Sequence, residues 1–226
     1  MAKIRKFAAY VMLAAGGMCF SGKTLAQNPS TYYVEDPRTF YGGILFGTNF
    51  SQVDGDSYAG YHKVGLNGGG IVYIHLDQNL AGSMEILFSQ KGSRGHRVQE
   101  SGFAGLYINE YKINLNYAEI PLMLNYFDRR RSHFGGGFSY SQLITSSETI
   151  SVSDGSNIKQ IPTDSFKFRK SDINFVLGGN LHLWKGLFLN LRFQYSIIPI
   201  RKNIPPGFGR SEQFNNLWAL RLMYLF

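Results

Sequence analysis

Trp218-Ala219-Leu220-Arg221-Leu222-Met223-Tyr224-Leu225-Phe226 closes the chain, and every second residue counted back from Phe226 is large and apolar: Tyr224, Leu222, Leu220 and Trp218. The intervening positions hold a charge, Arg221, and a small residue, Ala219. Alternation with period two belongs to a strand whose two faces meet different surroundings. An oily face with aromatics at both ends fits the last strand of an outer-membrane barrel, where lipid covers the apolar side and aromatic girdles mark the interfaces. In that setting Trp218, Leu220, Leu222, Tyr224 and Phe226 form the C-terminal signal that barrel-assembly machinery reads. Soluble strands alternate too, so the pattern decides the fold only if it recurs.

Eight such runs follow one another from Phe40 onward. The seventh sets Leu187, Leu189, Leu191, Phe193, Tyr195 and Ile197 against Asn190, Arg192, Gln194 and Ser196. The sixth opposes Ile173, Phe175, Leu177, Leu181 and Leu183 to Asn174, Asn180 and His182. The third sets Leu80, Met84, Ile86 and Phe88 against Ser83, Glu85, Ser89 and Lys91, and the second sets Val64, Leu66, Val72, Ile74 and Leu76 against Asn67, Tyr73 and His75. The first (Phe40, Ile44, Phe46, Phe50) and the fifth (Phe134, Phe138, Tyr140, Ile144) keep the period through clusters of glycine, which a small barrel tolerates where it curves sharply. The fourth changes phase: Ile113, Leu115 and Tyr117 are odd-numbered, Ile120, Leu122, Leu124 and Tyr126 even-numbered. One extra residue near Ala118–Glu119 restores a common face, which predicts a β-bulge there.

Connection lengths supply the topology. Asp77-Gln78-Asn79, Asp128 to Ser132 and Trp184-Lys185-Gly186 are tight turns, whereas 54–62, 93–110, 148–169 and 200–213 are long and polar. Short turns on one rim and long loops on the other are the signature of an eight-stranded antiparallel up-and-down transmembrane β-barrel with both termini periplasmic. Within 148–169, two strand-like stretches flank Asp154-Gly155-Ser156-Asn157, which predicts a hairpin rising above the membrane.

The N-terminus reads as an export signal. Lys3, Arg5 and Lys6 precede an uncharged apolar run from Phe7 to Phe20, and Thr24-Leu25-Ala26 offers a cleavage site before Gln27. That run, about 14 residues, is too short to cross a bilayer core of about 30 Å as a helix. Residues 1–26 hold four of the 23 Lys and Arg and no acid, so their removal lowers the net charge from +8 to +4. Nucleic acid is therefore not an expected partner. The single cysteine, Cys19, leaves with the signal, and thiol chemistry and disulfides with it. The expected organisation is a signal peptide over 1–26, a polar periplasmic lead-in over 27–39, and a barrel over 40–226.

Residues 40–226 resemble the small outer-membrane β-barrel proteins of Bacteroidetes, the PorT-type family with an outer membrane protein beta-barrel domain. The resemblance is carried by Gly47-Thr48-Asn49-Phe50-Ser51, by Met84-Glu85-Ile86-Leu87-Phe88-Ser89-Gln90-Lys91-Gly92, by Tyr117-Ala118-Glu119-Ile120-Pro121-Leu122-Met123-Leu124-Asn125-Tyr126, and by the terminal Phe226. It implies an integral protein of the outer membrane of a Gram-negative bacterium, and a place in a secretion-type assembly of the envelope. These motifs mark a fold, not a chemistry.

With lipid against the oily faces, Glu85, Lys91, Lys112, Glu119, Arg192, Arg221 and the histidines 75, 133 and 182 fall in the lumen. Eight strands leave an interior just wide enough for side chains to fill. Glu85, Arg192 and Arg221 lie at similar heights along their strands, which predicts a buried cluster with Glu119 as a second carboxylate. Unpaired guanidiniums in a dry lumen would be costly.

No histidine is followed two residues later by a serine, so the lipid-modifying chemistry of some small barrels is not expected, and neither is a cofactor or a metal site. Asp54, Asp56 and Ser57 lack the spacing of a calcium loop and read as a turn. Arg129-Arg130-Arg131, in a predicted periplasmic turn, is a candidate docking point for an envelope partner or anionic lipid. Basic residues of the long loops (Arg94, Arg97, Lys159, Lys167, Arg169, Lys170, Arg201, Lys202, Arg210) would suit lipopolysaccharide phosphates. The expectation is a non-enzymatic envelope protein, structural or interacting, whose partners are outer-membrane lipid and envelope or secretion-complex proteins. The alternatives are a narrow channel or small-solute porin, and a soluble lipocalin-like binder with its oily faces turned inward.

Overall fold

A computed structural model describes residues 39–56, 60–95, 99–100, 107–153, 158–162, 167–202 and 212–226. The expected signal peptide and nearly all of the lead-in lie outside the described residues, as do the hairpin tip at 154–157, Ser57, His96, Arg97 and Arg210. In chain order the strands are β1 (Phe40–Asp54), β2 (Lys63–His75), β3 (Leu80–Gly95), β4 (Gln99–Glu100), β5 (Tyr107–Phe127), β6 (His133–Ser153), β7 (Ile158–Pro162), β8 (Ser171–Trp184), β9 (Leu187–Ser196), β10 (Arg201–Lys202) and β11 (Glu212–Leu225). Eight of them, β1, β2, β3, β5, β6, β8, β9 and β11, pair antiparallel with their neighbours, and β11 pairs back onto β1 to close the barrel. The short β4, β7 and β10 extend it at one rim by pairing with β5, β6 and β11. One rim, the turn rim, carries the tight turns, the start of β1 and the end of β11; the opposite one is the loop rim.

The stagger follows from the registers. Starting at Tyr41, directly paired residues run Tyr73, Ser83, Met123, Gly137, Val176, Gln194, Leu217 and back to β1 at Ser51, ten residues beyond the start. With a rise of about 3.3 Å per residue and strands about 4.8 Å apart, that stagger over eight strands tilts them by about 40°. All nine residues on this circuit face the lumen, because directly paired residues share a face.

The oily faces look outward. Leu222 is 52 % exposed whereas its neighbour Met223 is 2 % exposed, and the partly exposed Leu189 lies between the buried Phe188 and Asn190. The lipocalin-like alternative, which needs the opposite orientation, is overturned by this. Outward aromatics collect in two girdles: Phe40, Tyr126, Phe134, Trp184, Tyr224 and Phe226 near the turn rim, and Phe50, Phe88, Tyr140 and Trp218 toward the loop rim.

Two expectations are corrected on β5 and β6. No bulge occurs at Ala118–Glu119: the β3–β5 register is the same on both sides of it. Ile113, Leu115 and Tyr117 instead face inward with 0 % exposure, while Ile120, Leu122 and Leu124 face outward at 44, 57 and 55 %. The phase change therefore marks where the surroundings change. Below Ala118 the outside is lipid; above it the outward residues are Lys112, Asn114 and Asn116, and the apolar ones fill the interior. The extra residue sits one strand over, at Ile144 of β6, where Tyr117 pairs Leu143 but Asn116 pairs Thr145. A second register shift lies between Ile108 and Glu110. Lys112, expected in the lumen, faces outward opposite Arg94 because it shares the even-numbered phase of β5.

The stretches 93–110 and 148–169, read from sequence as loops, are partly strand. β3 runs to Gly95, β5 begins at Tyr107 and β6 continues to Ser153. The expected hairpin exists as the β6–β7 pair, from Thr149↔Pro162 to Ser153↔Ile158.

Candidate functional site

The lumen is the chemically distinctive part of the barrel, and it is filled in tiers. Nearest the turn rim is an aromatic and histidine layer. His133 stacks on Phe127 at 4.1 Å and meets Tyr73, whose hydroxyl lies 2.9 Å from His133 Nε2. Phe188 stands edge-on to His133 at 5.6 Å and beside His182 at 5.0 Å. His75 packs between Tyr41 and Phe127. Leu45, Ile71, Leu87 and Met223 complete this apolar floor.

Above the floor, Glu85 of β3 lies between two arginines from across the barrel. Its Oε1 takes Arg192 Nη2 and its Oε2 takes Arg221 Nη1 at 3.1 Å. Arg221 also donates through Nε to Asn190 Oδ1 at 2.7 Å and through Nη1 to Asn67 Oδ1 at 3.4 Å. Room for Arg221 comes from its strand partner Gly47, where a Cβ would lie 2.5 Å from Arg221 Cα and 2.8 Å from its Cγ. Alternation alone puts these three residues inside, and the ten-residue stagger brings them to one level.

Glu119 does not join them. It pairs with Lys91, accepts from Ser141 Oγ at 3.0 Å and from Gln194 Nε2 at 3.3 Å, and forms the next tier up. Lys91 also donates to Asn174 Oδ1 at 3.3 Å and sits over the Tyr117 ring at 5.0 Å. Beside this tier, Asp172 Oδ2 accepts from Ser196 Oγ at 2.8 Å and Asn215 Nδ2 at 3.0 Å. Val53, Ile113, Leu115, Tyr117 and Ile200 form an apolar layer above. A last ion pair, Glu148 with Arg201 at 2.8 Å, lies nearest the loop rim; Tyr111 donates to Glu148, and the Arg201 guanidinium lies 3.9 Å from the Phe168 ring centroid. Arg201, read from sequence as a free loop cation, is thus buried and paired.

Among the described residues the buried charges balance: Glu85, Glu119, Glu148 and Asp172 against Lys91, Arg192, Arg201 and Arg221. A low-dielectric interior holds ionised groups only when they are paired and hydrogen-bonded. Reasoning from sequence missed Asp172 and the Glu148–Arg201 pair. Asp172 was accessible to it, since it shares the inward phase of Asn174 and Asn180. Glu148 was not, because its phase is set by the bulge at Ile144.

Outside the lumen, Arg129 and Arg130 are exposed in the β5–β6 turn, and Arg131 takes a left-handed backbone with φ of 64°. Trp218, Leu220, Leu222, Tyr224 and Phe226 all face outward. Among the described residues no group of three or more His, Cys, Asp or Glu is arranged to hold a metal ion. Asp54 is engaged by Gln52 Nε2 and by Asn216 Nδ2 at 3.0 Å.

A closed antiparallel barrel of eight strands, with lipid-type side chains outside and ionised ones sealed inside, is the architecture of a small integral outer-membrane protein. Residues 25–202 match the model of the family described as the outer membrane protein beta-barrel domain, and the chain belongs to that family. Among solved structures the chain is similar to Ail, the attachment invasion locus protein of Yersinia pestis, at 13 % identity and a TM-score of 0.45, covering 82 % of this chain and 98 % of that one. It is also similar to Neisserial surface protein A, at 10 % identity and 0.41, covering 85 % and 100 %. A third is outer membrane protein AlkL in lipid bilayers, at 16 % and 0.37, covering 86 % and 95 %. No curated protein matches the chain in sequence.

Proposed function

We propose that this outer-membrane barrel is a non-enzymatic, sealed component of the cell envelope that works through its surfaces rather than through its lumen. The observation that carries this reading is the tiered filling. An aromatic floor, two ionic tiers, an apolar layer and the Glu148–Arg201 pair stand in series along the axis, and each buried charge has an opposite partner or hydrogen bonds. The turn rim and both chain termini face the periplasm in this reading, as short turns do in barrels of Gram-negative outer membranes. The projecting strands β5, β6 and β7 then stand above the outer surface as the interaction element. A PorT-like place in a secretion-type assembly of a Bacteroidetes envelope is the finer proposal, supported by the motifs around Glu85 and Glu119. Arg129 to Arg131 would hold the turn rim at the periplasmic surface, against an envelope partner or anionic lipid.

A narrow channel is the second reading. It is favoured by buried polar atoms that take no protein hydrogen bond, among them Arg192 Nε and Nη1, Asp172 Oδ1 and Ser139 Oγ. Such atoms are ordinarily satisfied by water. Planar-bilayer recording on the purified barrel decides between the two. The sealed reading expects no resolved conductance steps, and steady single-channel steps that change in Glu85→Gln would overturn it.

A further inference from the structure

The outward face of β6, β8 and β9 has a groove near the turn rim, about 480 Å³ in volume, walled by Phe134, Leu181, Leu189 and Leu191. Its floor is Gly179, the strand partner of both Phe134 and Leu191, where a Cβ would meet nothing within 4 Å. At its end lie Asp128 and Ser132, the first and last residues of the β5–β6 turn. Ser132 Oγ accepts the His182 backbone N–H at 3.2 Å, which holds that turn against β8. Arg129 and Arg130 are exposed between them. On the same rim, in the β8–β9 turn, Lys185 stands over the Trp184 ring at 4.6 Å. Asp128 is the acid of this corner, outnumbered by the three arginines and Lys185.

On a membrane barrel this face meets hydrocarbon, so a hollow lined by Phe, Leu and Gly is filled by a lipid chain rather than by water. Phe134 and Trp184, each 66 % exposed, belong to the aromatic girdle, which puts the neighbouring arginines at headgroup level. We propose that the groove seats an acyl chain of an anionic phospholipid whose phosphate is held by Arg129 and Arg130. A guanidinium presents planar paired donors suited to a phosphate. An acidic protein docked on the same arginines would leave the groove unexplained, because the groove lies on the hydrocarbon side of them. The proposal needs the barrel to lie in a bilayer and is independent of whether the lumen conducts.

The test is native mass spectrometry of the full-length protein taken from nanodiscs of equal phosphatidylglycerol and phosphatidylethanolamine. One retained lipid is expected, with phosphatidylglycerol favoured about fivefold for each arginine that contacts it. Arg129→Gln/Arg130→Gln should keep the lipid adduct and lose the preference. Gly179→Leu should lose the adduct of both lipids. Equal retention of the two lipids by the unaltered chain, a preference that survives in the arginine variant, or full lipid retention by Gly179→Leu each overturns the proposal. So does a chain that carries no lipid but needs the arginines to capture a periplasmic protein. The arginine variant alters an exposed turn, so the charge arm stands alone if Gly179→Leu fails to assemble.

Discussion

Replacing Glu85 by alanine removes the one carboxylate that serves two buried guanidiniums, Arg192 and Arg221, each 2 % exposed. Breaking a buried pair from one side costs about 3–5 kcal/mol, because the remaining charge stays buried and uncompensated. Here two like charges are left facing each other, so the upper part of that range is expected. Arg192→Ala is milder, since Glu85 keeps Arg221 at 3.1 Å; the cost should be about 2–3 kcal/mol, mostly from lost packing and one lost ion pair. In the double variant Arg192 is no longer present to be stranded, and Arg221 retains Asn190 and Asn67 as acceptors. The double variant should therefore be less destabilised than the sum of the single ones, with a coupling of about 2 kcal/mol. The assay is urea unfolding of the barrel refolded into lipid vesicles, read by tryptophan fluorescence and by the mobility of the unheated band on gels. Additive single effects, with no coupling beyond about 0.5 kcal/mol, would refute the ion-pair account of this tier.

Three further outcomes follow from the same geometry. Leu222→Lys, between the girdles on the lipid face, should cost about 2–4 kcal/mol in vesicle unfolding, whereas Phe40→Lys at the turn rim should cost about 0–1 kcal/mol. Gly137→Ala should cost about 3 kcal/mol or block assembly, since its Cβ would lie 2.0 Å from Leu122 O and 2.8 Å from Met123 Cα; Gly82→Ala, with nothing within 4 Å, should be neutral within about 0.5 kcal/mol. Deleting Ile144 should leave the lower barrel folded but turn Glu148 away from Arg201, which should cost about 3–5 kcal/mol in the same unfolding assay. An unchanged unfolding midpoint would mean that the bulge does not set the phase of Glu148.

The lower barrel was legible because lipid imposes one rule on every strand: apolar residues out, polar residues in. Leu189 and Leu222 obey it, and so do Glu85, Arg192 and Arg221, whose common level could be counted from the strand ends. Above the girdle the rule reverses, since water outside rewards the soluble pattern of apolar residues in. Ile113, Leu115 and Tyr117 follow that second rule without any irregularity in β5. Reasoning from one rule for the whole strand turned a change of surroundings into a bulge at Ala118–Glu119 and put Lys112 inside. Glu119 fell in the wrong tier for a different reason. Which strand level faces which across a barrel depends on the accumulated stagger, and no single strand encodes it. That count placed Glu119 beside Lys91, one tier above Glu85.

The irregularity at Ile144 has a consequence that alternation cannot supply. Below it the odd-numbered residues of β6 face the lumen, as Ser139 and Ser141 do; above it the even-numbered ones do, which turns Glu148 inward. Glu148 then meets Arg201 from the opposite side of the loop rim and accepts from Tyr111. Without the extra residue, Glu148 would point to water and Arg201 would be a buried cation over the Phe168 ring with no carboxylate beside it. A bulge at a barrel rim that re-aims one side chain is a recurrent device. In this chain it gives the buried Arg201 a carboxylate and makes that level charge-neutral. The same turn of phase puts Thr145 and Ser147 on the outer face, where Ser147 Oγ accepts from Asn114 of β5 at 3.2 Å and the strands leave the membrane. One inserted residue thus brings Glu148 to Arg201 inside the rim and makes the emerging sheet polar on its outside.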